Sequence, residues 1–256
     1  MIFGCAAAAV AGFGALFYAT SVLPTQWLKV ERVNWNLGIG KKILQISDIH
    51  IERNRISPSR LATVLIAEHP DLVCLTGDFA DHDESLLLLV PFLRVLREVG
   101  APVYAVLGNH DYRLRSVQRL IEVLQSFDVT VLINQTVVLD GMNLVGIDDY
   151  CTRHSDERAF DQIDDELPVV VMTHDPTYTL VAGRPFACLI AGHLHGKQFN
   201  VPFLFTLKPM GPLAASGVYK GQHRCPQGPF YISKGIGQSG INLRFLVRSE
   251  ITVHEL

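Results

Sequence analysis

Five short polar clusters punctuate this 256-residue chain: Asp48-Ile49-His50, Gly77-Asp78, Gly108-Asn109-His110-Asp111, Thr173-His174-Asp175 and Gly192-His193-Leu194-His195-Gly196. If they meet, they offer Asp48, His50, Asp78, Asn109, His174, His193 and His195 as donors: carboxylates, imidazoles and one amide carbonyl, with no thiolate. Such oxygen and nitrogen donors suit Mn, Fe, Zn or similar divalent ions rather than iron–sulfur chemistry. Seven donors are too many for one ion, whereas two ions sharing one carboxylate would use them all. Taken singly, most of the clusters are weak. A Gly-Asp after a strand is most simply a turn, and a lone His is most simply a hydrogen-bonded core residue. Gly-His-x-His-Gly and Gly-Asn-His-Asp say more, and all five in this order say most.

Something must bring the five together. Each follows an apolar run with strand character: Lys42–Ser47, Asp71–Thr76, Val103–Leu107, Val169–Thr173 and Ala187–Ala191, the last two of the doubly covered kind. In open α/β sheets, ligands bind beyond the carboxyl ends of the strands, so the clusters are expected on one edge. Between the strands, Ser57-Pro58 before Leu61, Val64 and Leu65 reads as an N-cap, a first-position proline and helical spacing. Leu86–Val99 reads as a buried leucine-rich helix, with Pro91 in its first turns or at a kink, and Val117–Phe127 as another helix. Val129–Ile133, Thr136–Leu139 and Asn143–Ile147 read as strands, and the chain beyond Gly196 as β-rich. No repeat or linker follows residue 40, so 40–256 is expected to be one domain.

Composition narrows the class. The chain is 48% hydrophobic and only 18% charged, with a net charge of -3 and a mean hydropathy of +0.24. That excludes disorder. No basic run supplies a nucleic-acid footprint, and five Cys in this length exclude a disulfide scaffold. Part of the apolar excess is local: no charged side chain occurs between Ile2 and Leu28. Residues 1–28 therefore read as a hydrophobic anchor or export signal. Lys29, Arg32, Lys41 and Lys42 follow it. The expected location is at a membrane or beyond one, with the side left open.

With these motifs in hand, the chain resembles the calcineurin-like metallophosphoesterases, from Asp48 through the C-terminal strands. It is most similar to a small bacterial branch with an N-terminal membrane or export segment. That likeness rests on Trp27-Leu28, Gly146-Ile147-Asp148-Asp149, Arg244-Phe245 and Glu250-Ile251-Thr252. The resemblance implies a four-layer α/β/β/α sandwich of two mixed sheets flanked by helices. It also implies two divalent metal ions (Mn, Fe, Zn or Mg): one on Asp48, His50 and His195, the other on Asn109, His174 and His193, with Asp78 bridging. Such a pair, roughly 3.5–4 Å apart, lowers the pKa of a shared water, and the hydroxide would attack phosphorus. His110 would stabilise the transition state or protonate the leaving oxygen, and Asp111 would either orient His110 or cap a loop.

Other residues carry less. Asp148-Asp149 reads as structural, Asp175 as a loop former, and Asp81, His82 and Asp83 as helix caps rather than substrate contacts. His69, His82, His154, His223 and His254 are expected on the surface, and Cys74 and Cys188 as inert strand residues. Cys151 and Cys225 are placed in loops, with nothing arguing for a disulfide between them. The apolar run Phe199, Val201–Phe205, Leu207 and Pro209–Leu213 is either a greasy lip or an edge strand. Lys208, Lys220, Arg224 and Lys234 could meet phosphate or sugar. The substrate expected is a phosphomonoester or diester, with a lipid-linked one, UDP-2,3-diacylglucosamine, as the narrower alternative. A non-catalytic scaffold would be expected to lose ligands, and every ligand position here is filled.

Overall fold

The computed structural model describes residues 2–201 and 210–256. Strands β1 (Lys29–Asn34), β2 (Lys42–Ile46), β3 (Leu72–Thr76), β4 (Val103–Val106), β5 (Val129–Val131) and β12 (Glu250–Glu255) form one sheet, ordered β1-β12-β2-β3-β4-β5. Strands β6 (Gln135–Leu139), β7 (Met142–Gly146), β8 (Val169–Met172), β9 (Cys188–Ala191), β10 (Gly221–Cys225) and β11 (Gly228–Ile232) form the other, ordered β10-β11-β9-β8-β7-β6. Strands β2 to β5 run parallel, as do β7, β8, β9 and β11.

Side chains alternate across each sheet, as a period of two requires. Leu72 and Cys74 of β3 and Val170 and Met172 of β8 meet between the sheets. Val73 and Leu75 instead face α3 (Pro58–Glu68), α4 (Leu86–Val99) and α5 (Val117–Gln125), while Val171 faces outward from the second sheet. The architecture is thus the expected α/β sandwich, with one difference in its fourth layer. There the cover consists mainly of 3₁₀ turns, Glu157–Gln162 and Pro176–Leu180, and the one-turn helix Pro212–Ala215. Helix α4 buries only one face: Leu86, Leu89, Leu93 and Leu96 are inside, whereas Leu87 and Leu88 are exposed.

Three expectations need correction. The sheet begins at β1, ahead of residue 40, and pairs Lys29–Asn34 with Glu250–Glu255. This edge strand buries little beyond Val33, so its charged sequence carries no strand pattern. The stretch from Ser233 to Ser249 is irregular, and the buried Arg244 guanidinium donates to the carbonyls of Lys234, Gly235 and Gly237 in place of a ladder. His254 is fully buried, not superficial, and His223 is half-buried. Cys74, Cys151, Cys188 and Cys225 are free thiols.

The amino end is helical: α1 (Ile2–Phe17), a π turn over Tyr18–Val22, and α2 (Leu23–Gln26). Among the described residues no helix is long and apolar enough to cross a membrane. The body grips this segment from Thr20 onward, through Leu246 N–H to Thr20 O, Arg244 N–H to Ser21 O and Ser249 N–H to Pro24 O. Before that grip, Val10, Phe13 and Leu16 project 74%, 73% and 62% exposed.

Candidate metal centre

The carboxyl ends of β2, β3 and β4 meet those of β8 and β9 along one edge. Asp48 N–H donates to Gly77 O and His50 N–H to Asp78 O, so the loops after β2 and β3 extend the ladder outward. His174 Nδ1 reaches Thr76 O at 2.8 Å, tying the second sheet to the first. At Gly192 a Cβ would lie 1.8 Å from Ser47 Oγ and 2.5 Å from Asp48 Oδ2, so only glycine permits this approach. Asp48, His50, Asp78, His193 and His195 all have positive φ. Each such conformation costs on the order of 1 kcal/mol and persists where the surroundings over-determine it, typically at functional sites.

Six of the seven predicted donors fall into two close groups, the seventh, Asn109, lines the same cleft as His193, and several orientations are fixed from behind. His174 Nδ1 donates to Thr76 O, so its Nε2 is the free acceptor, 3.2 Å from Asp78 Oδ2 and 3.2 Å from His193 Nδ1. His50 Nδ1 meets Asp81 Oδ1 at 3.1 Å and turns its Nε2 to within 3.4 Å of Asp78 Oδ2. His195 Nε2 lies 3.4 Å from Asp48 Oδ1. Asp48 accepts from Ser47 Oγ and the His193 N–H, and Asp78 Oδ1 from the His110 N–H. Asp48, His50 and His195 form one group of mutually close ligand atoms; Asp78, His174 and His193 form another.

His50 Nε2, Asn109 Oδ1 and His195 Nδ1 are buried with no hydrogen-bond partner. An unpaired buried polar atom costs about 1–3 kcal/mol, and two of these suit a cation: His50 Nε2, 3.4 Å from Asp78 Oδ2, and Asn109 Oδ1, on the same cleft as His193; the His195 atom that meets Asp48 is the opposite one, Nε2. Burial opposes a charge on His50, but Asp78 and Asp81 outweigh it and draw its imidazole up to about 10. Burial pushes His195 down to about 3 despite Asp48. Asp78 is held well below the usual carboxylate range, its burial overcome by His174 and His50.

His110, partly exposed, stands at the rim in an edge-to-face contact with His50, 4.7 Å between ring centres. The carboxylate that meets its ring is Asp81, at 2.6 Å from Nδ1, rather than Asp111. Asp111 is fully buried and takes the N–H groups of Asp78, Phe79 and Gly108, so its role is to hold the loops. Asp81 also binds Arg53, and burial is outweighed by His110 and His50 so that its acid stays far below the usual range. Its signal in the sequence was Gly77-Asp78-x-x-Asp81: an acid one turn beyond a ligand. Asp148 and Asp149 are buried, accepting from Tyr112 Oη and from Thr152.

A cleft of about 1180 Å³ opens beside Asn109 and His193, lined by Arg113 and Arg153 as well as by Phe199 and Ile241. Of the expected lip, 202–209 and with it Lys208 lie outside the described residues; Phe199, Met210 and Pro212 line the cleft. Lys234 is committed to Glu31 and Glu250, not to substrate.

Comparison with known proteins agrees with this geometry. The uncharacterized metallophosphoesterase YkoQ of Bacillus subtilis is 36% identical over 223 residues, covering 84% of this chain and 83% of that one. A second from the same organism, YkuE, is 29% identical over 233 residues, covering 85% and 79%. The zebrafish (Danio rerio) transmembrane protein with metallophosphoesterase domain is 28% identical over 249 residues, covering 88% of this chain and 55% of that one. Residues 41–197, from the start of β2 to the loop after β9, match the calcineurin-like phosphoesterase family. The chain belongs to that family and is a metal-dependent phosphoester hydrolase.

Proposed function

We propose that the centre takes two divalent cations, one on Asp48, His50 and His195 and the other on Asn109, His174 and His193, with Asp78 shared, and that a phosphomonoester or phosphodiester is hydrolysed there. The observation that carries this reading is Asp78 Oδ2, which lies 3.4 Å from His50 Nε2 and 3.2 Å from His174 Nε2, one donor from each set. Ligands about 2.0–2.1 Å from one cation, at right angles, are themselves roughly 3 Å apart. When bound, the cations supply a water of lowered pKa and neutralise charge on the phosphate oxygens. The remaining work belongs to the chain. His110, its Nδ1 held by Asp81, faces the phosphate or the leaving oxygen through Nε2, which donates there once it carries a proton. Arg113 Nη1, 3.2 Å from His110 Nε2, adds positive charge beside it. The donor set accepts Mn, Fe, Zn or Mg, and availability selects among them.

Metal analysis with hydrolysis of bis-p-nitrophenyl phosphate in added manganese tests this. Two ions per chain and turnover are expected. Asp78→Asn loses both; His110→Asn keeps the metal and loses most turnover. Two ions without turnover on any phosphoester would instead favour a scaffold, against which stands the retention of all seven donors and His110 in the sequence.

A narrower reading is an amphipathic, lipid-linked phosphoester at a membrane surface. Its support is a cleft lined by both arginines and apolar side chains, and the exposed Val10, Phe13 and Leu16 of α1. Release of UMP from UDP-2,3-diacylglucosamine in detergent tests it; no release alongside good turnover of soluble diesters rejects it.

A further inference from the structure

Beside the centre lies a third set of donors. Cys151 Sγ, a carboxylate oxygen of Asp175 and a ring nitrogen of His193 all lie within 4.8 Å of one another. They come from the loops after β7, β8 and β9, which are neighbours in the second sheet. Each is fixed independently. Asp149 Oδ2 takes the N–H and hydroxyl of Thr152, closing the turn that presents Cys151. Asp175 Oδ1 takes the Thr177 N–H. The His193 N–H is held by Asp48. Cys151 is exposed, and all three residues border the cleft, so a cation has a path to them.

We infer that Cys151, Asp175 and His193 form an inhibitory site for thiophilic divalent cations, cadmium or excess zinc, that competes with the catalytic centre for His193. Two chemical facts carry it. A thiolate selects softer cations than the oxygen and imidazole donors of the centre do. A neutral imidazole has a single acceptor nitrogen, so His193 cannot serve this site and the Asp78–His174–His193 group together. Filling one withdraws a ligand from the other. On binding, the Cys151 thiol gives its proton to solvent and its sulfur lone pair to the cation; no electrons change hands. The competition rests on the two-metal reading, whereas the capture of a soft cation does not.

The test titrates cadmium into the manganese-loaded full chain, following the ultraviolet thiolate-to-cadmium absorption, released manganese and phosphodiester hydrolysis. Cadmium is expected to raise the band, displace manganese and inhibit. Cys151→Ser is expected to lose the band, keep its manganese and need about tenfold more cadmium or more for half-inhibition, each variant normalised to its own rate without cadmium. The band should persist in Cys5→Ser and Cys225→Ser. A band that survives in Cys151→Ser overturns the site. Loss of the band with unchanged inhibition and manganese release overturns the competition. If no phosphoester is hydrolysed, the band and the manganese still decide the matter, so failure here is distinct from failure of the proposed function.

Discussion

At the scale of single residues, two aspartates near His110 do different work, and substitution separates them. Asp81 touches the His110 ring and His50 Nδ1, so it fixes one tautomer and one orientation of each. Asp81→Asn should lower kcat at saturating manganese by about 10–100-fold, as loss of an orienting partner does. Because Arg53 also loses its carboxylate, some stability should be lost as well, so kcat is compared on the folded fraction; a full-rate variant rejects the role. Asp111 satisfies three buried backbone N–H groups. Asp111→Ala orphans all three, and at about 1 kcal/mol each should cost about 3 kcal/mol in urea unfolding. A variant as stable as the parent rejects that reading. The sequence pointed to Asp111 because it adjoins His110. Adjacency misleads here because a 3₁₀ turn over Asp111–Arg113 sends the two side chains opposite ways, one under the loops and one to the rim.

At the scale of elements, what was legible followed from burial. Strands β2, β3, β4, β8 and β9 are apolar on both faces because both faces are covered, so each run and the polar cluster after it stood out. Strand β1 and the 3₁₀ cover did not, since an edge strand and short turns have too little buried surface to impose a period. Nor could the pairing of β12 between β1 and β2 be read from a local pattern, because its partners lie some two hundred residues away in the chain. His254 on β12 is the residue most affected. Its Nε2 meets Gln45 Oε1 at 2.9 Å, and its Nδ1 accepts from Trp35 Nε1 at 3.2 Å. Gln45 in turn donates to Thr76 and Ala191, which fixes which way its amide points. Protonating Nδ1 would set two donors against each other in a dry layer, and burial holds the group at about 3. Its unfolded value is near 6.5, so the unfolded chain binds the proton first as pH falls. Stability from this residue is therefore complete above pH 6.5 and is lost as pH falls toward 3, at a limiting slope on the order of 1.4 kcal/mol per pH unit. Urea midpoints of the parent and His254→Asn, compared between about pH 6.5 and 4, should show the flatter curve for the variant; parallel curves reject it.

At the scale of the whole molecule, the apolar excess divides between a sandwich that uses it and a helix that leaves it in the open. The two sheets and their covers bury three hydrophobic clusters. By contrast, Val10, Phe13, Leu16, Phe17 and Tyr18 are between 45% and 74% exposed. Burying a large apolar side chain is worth about 1.5–3 kcal/mol, so five on one short segment give a strong drive toward an apolar phase. Among the described residues, the backbone hydrogen bonds that tie this segment to the body begin at Thr20. The helix and the sandwich should therefore separate cleanly in function. Deleting residues 2–17 should leave metal content and phosphodiester turnover intact and shift unfolding by less than about 1 kcal/mol, since residues 10–17 are exposed. The same deletion should abolish sedimentation of the chain with phosphatidylglycerol–phosphatidylcholine vesicles. Equal sedimentation of the two forms would place the membrane-seeking surface elsewhere, and loss of turnover would show that the helix supports the sandwich after all.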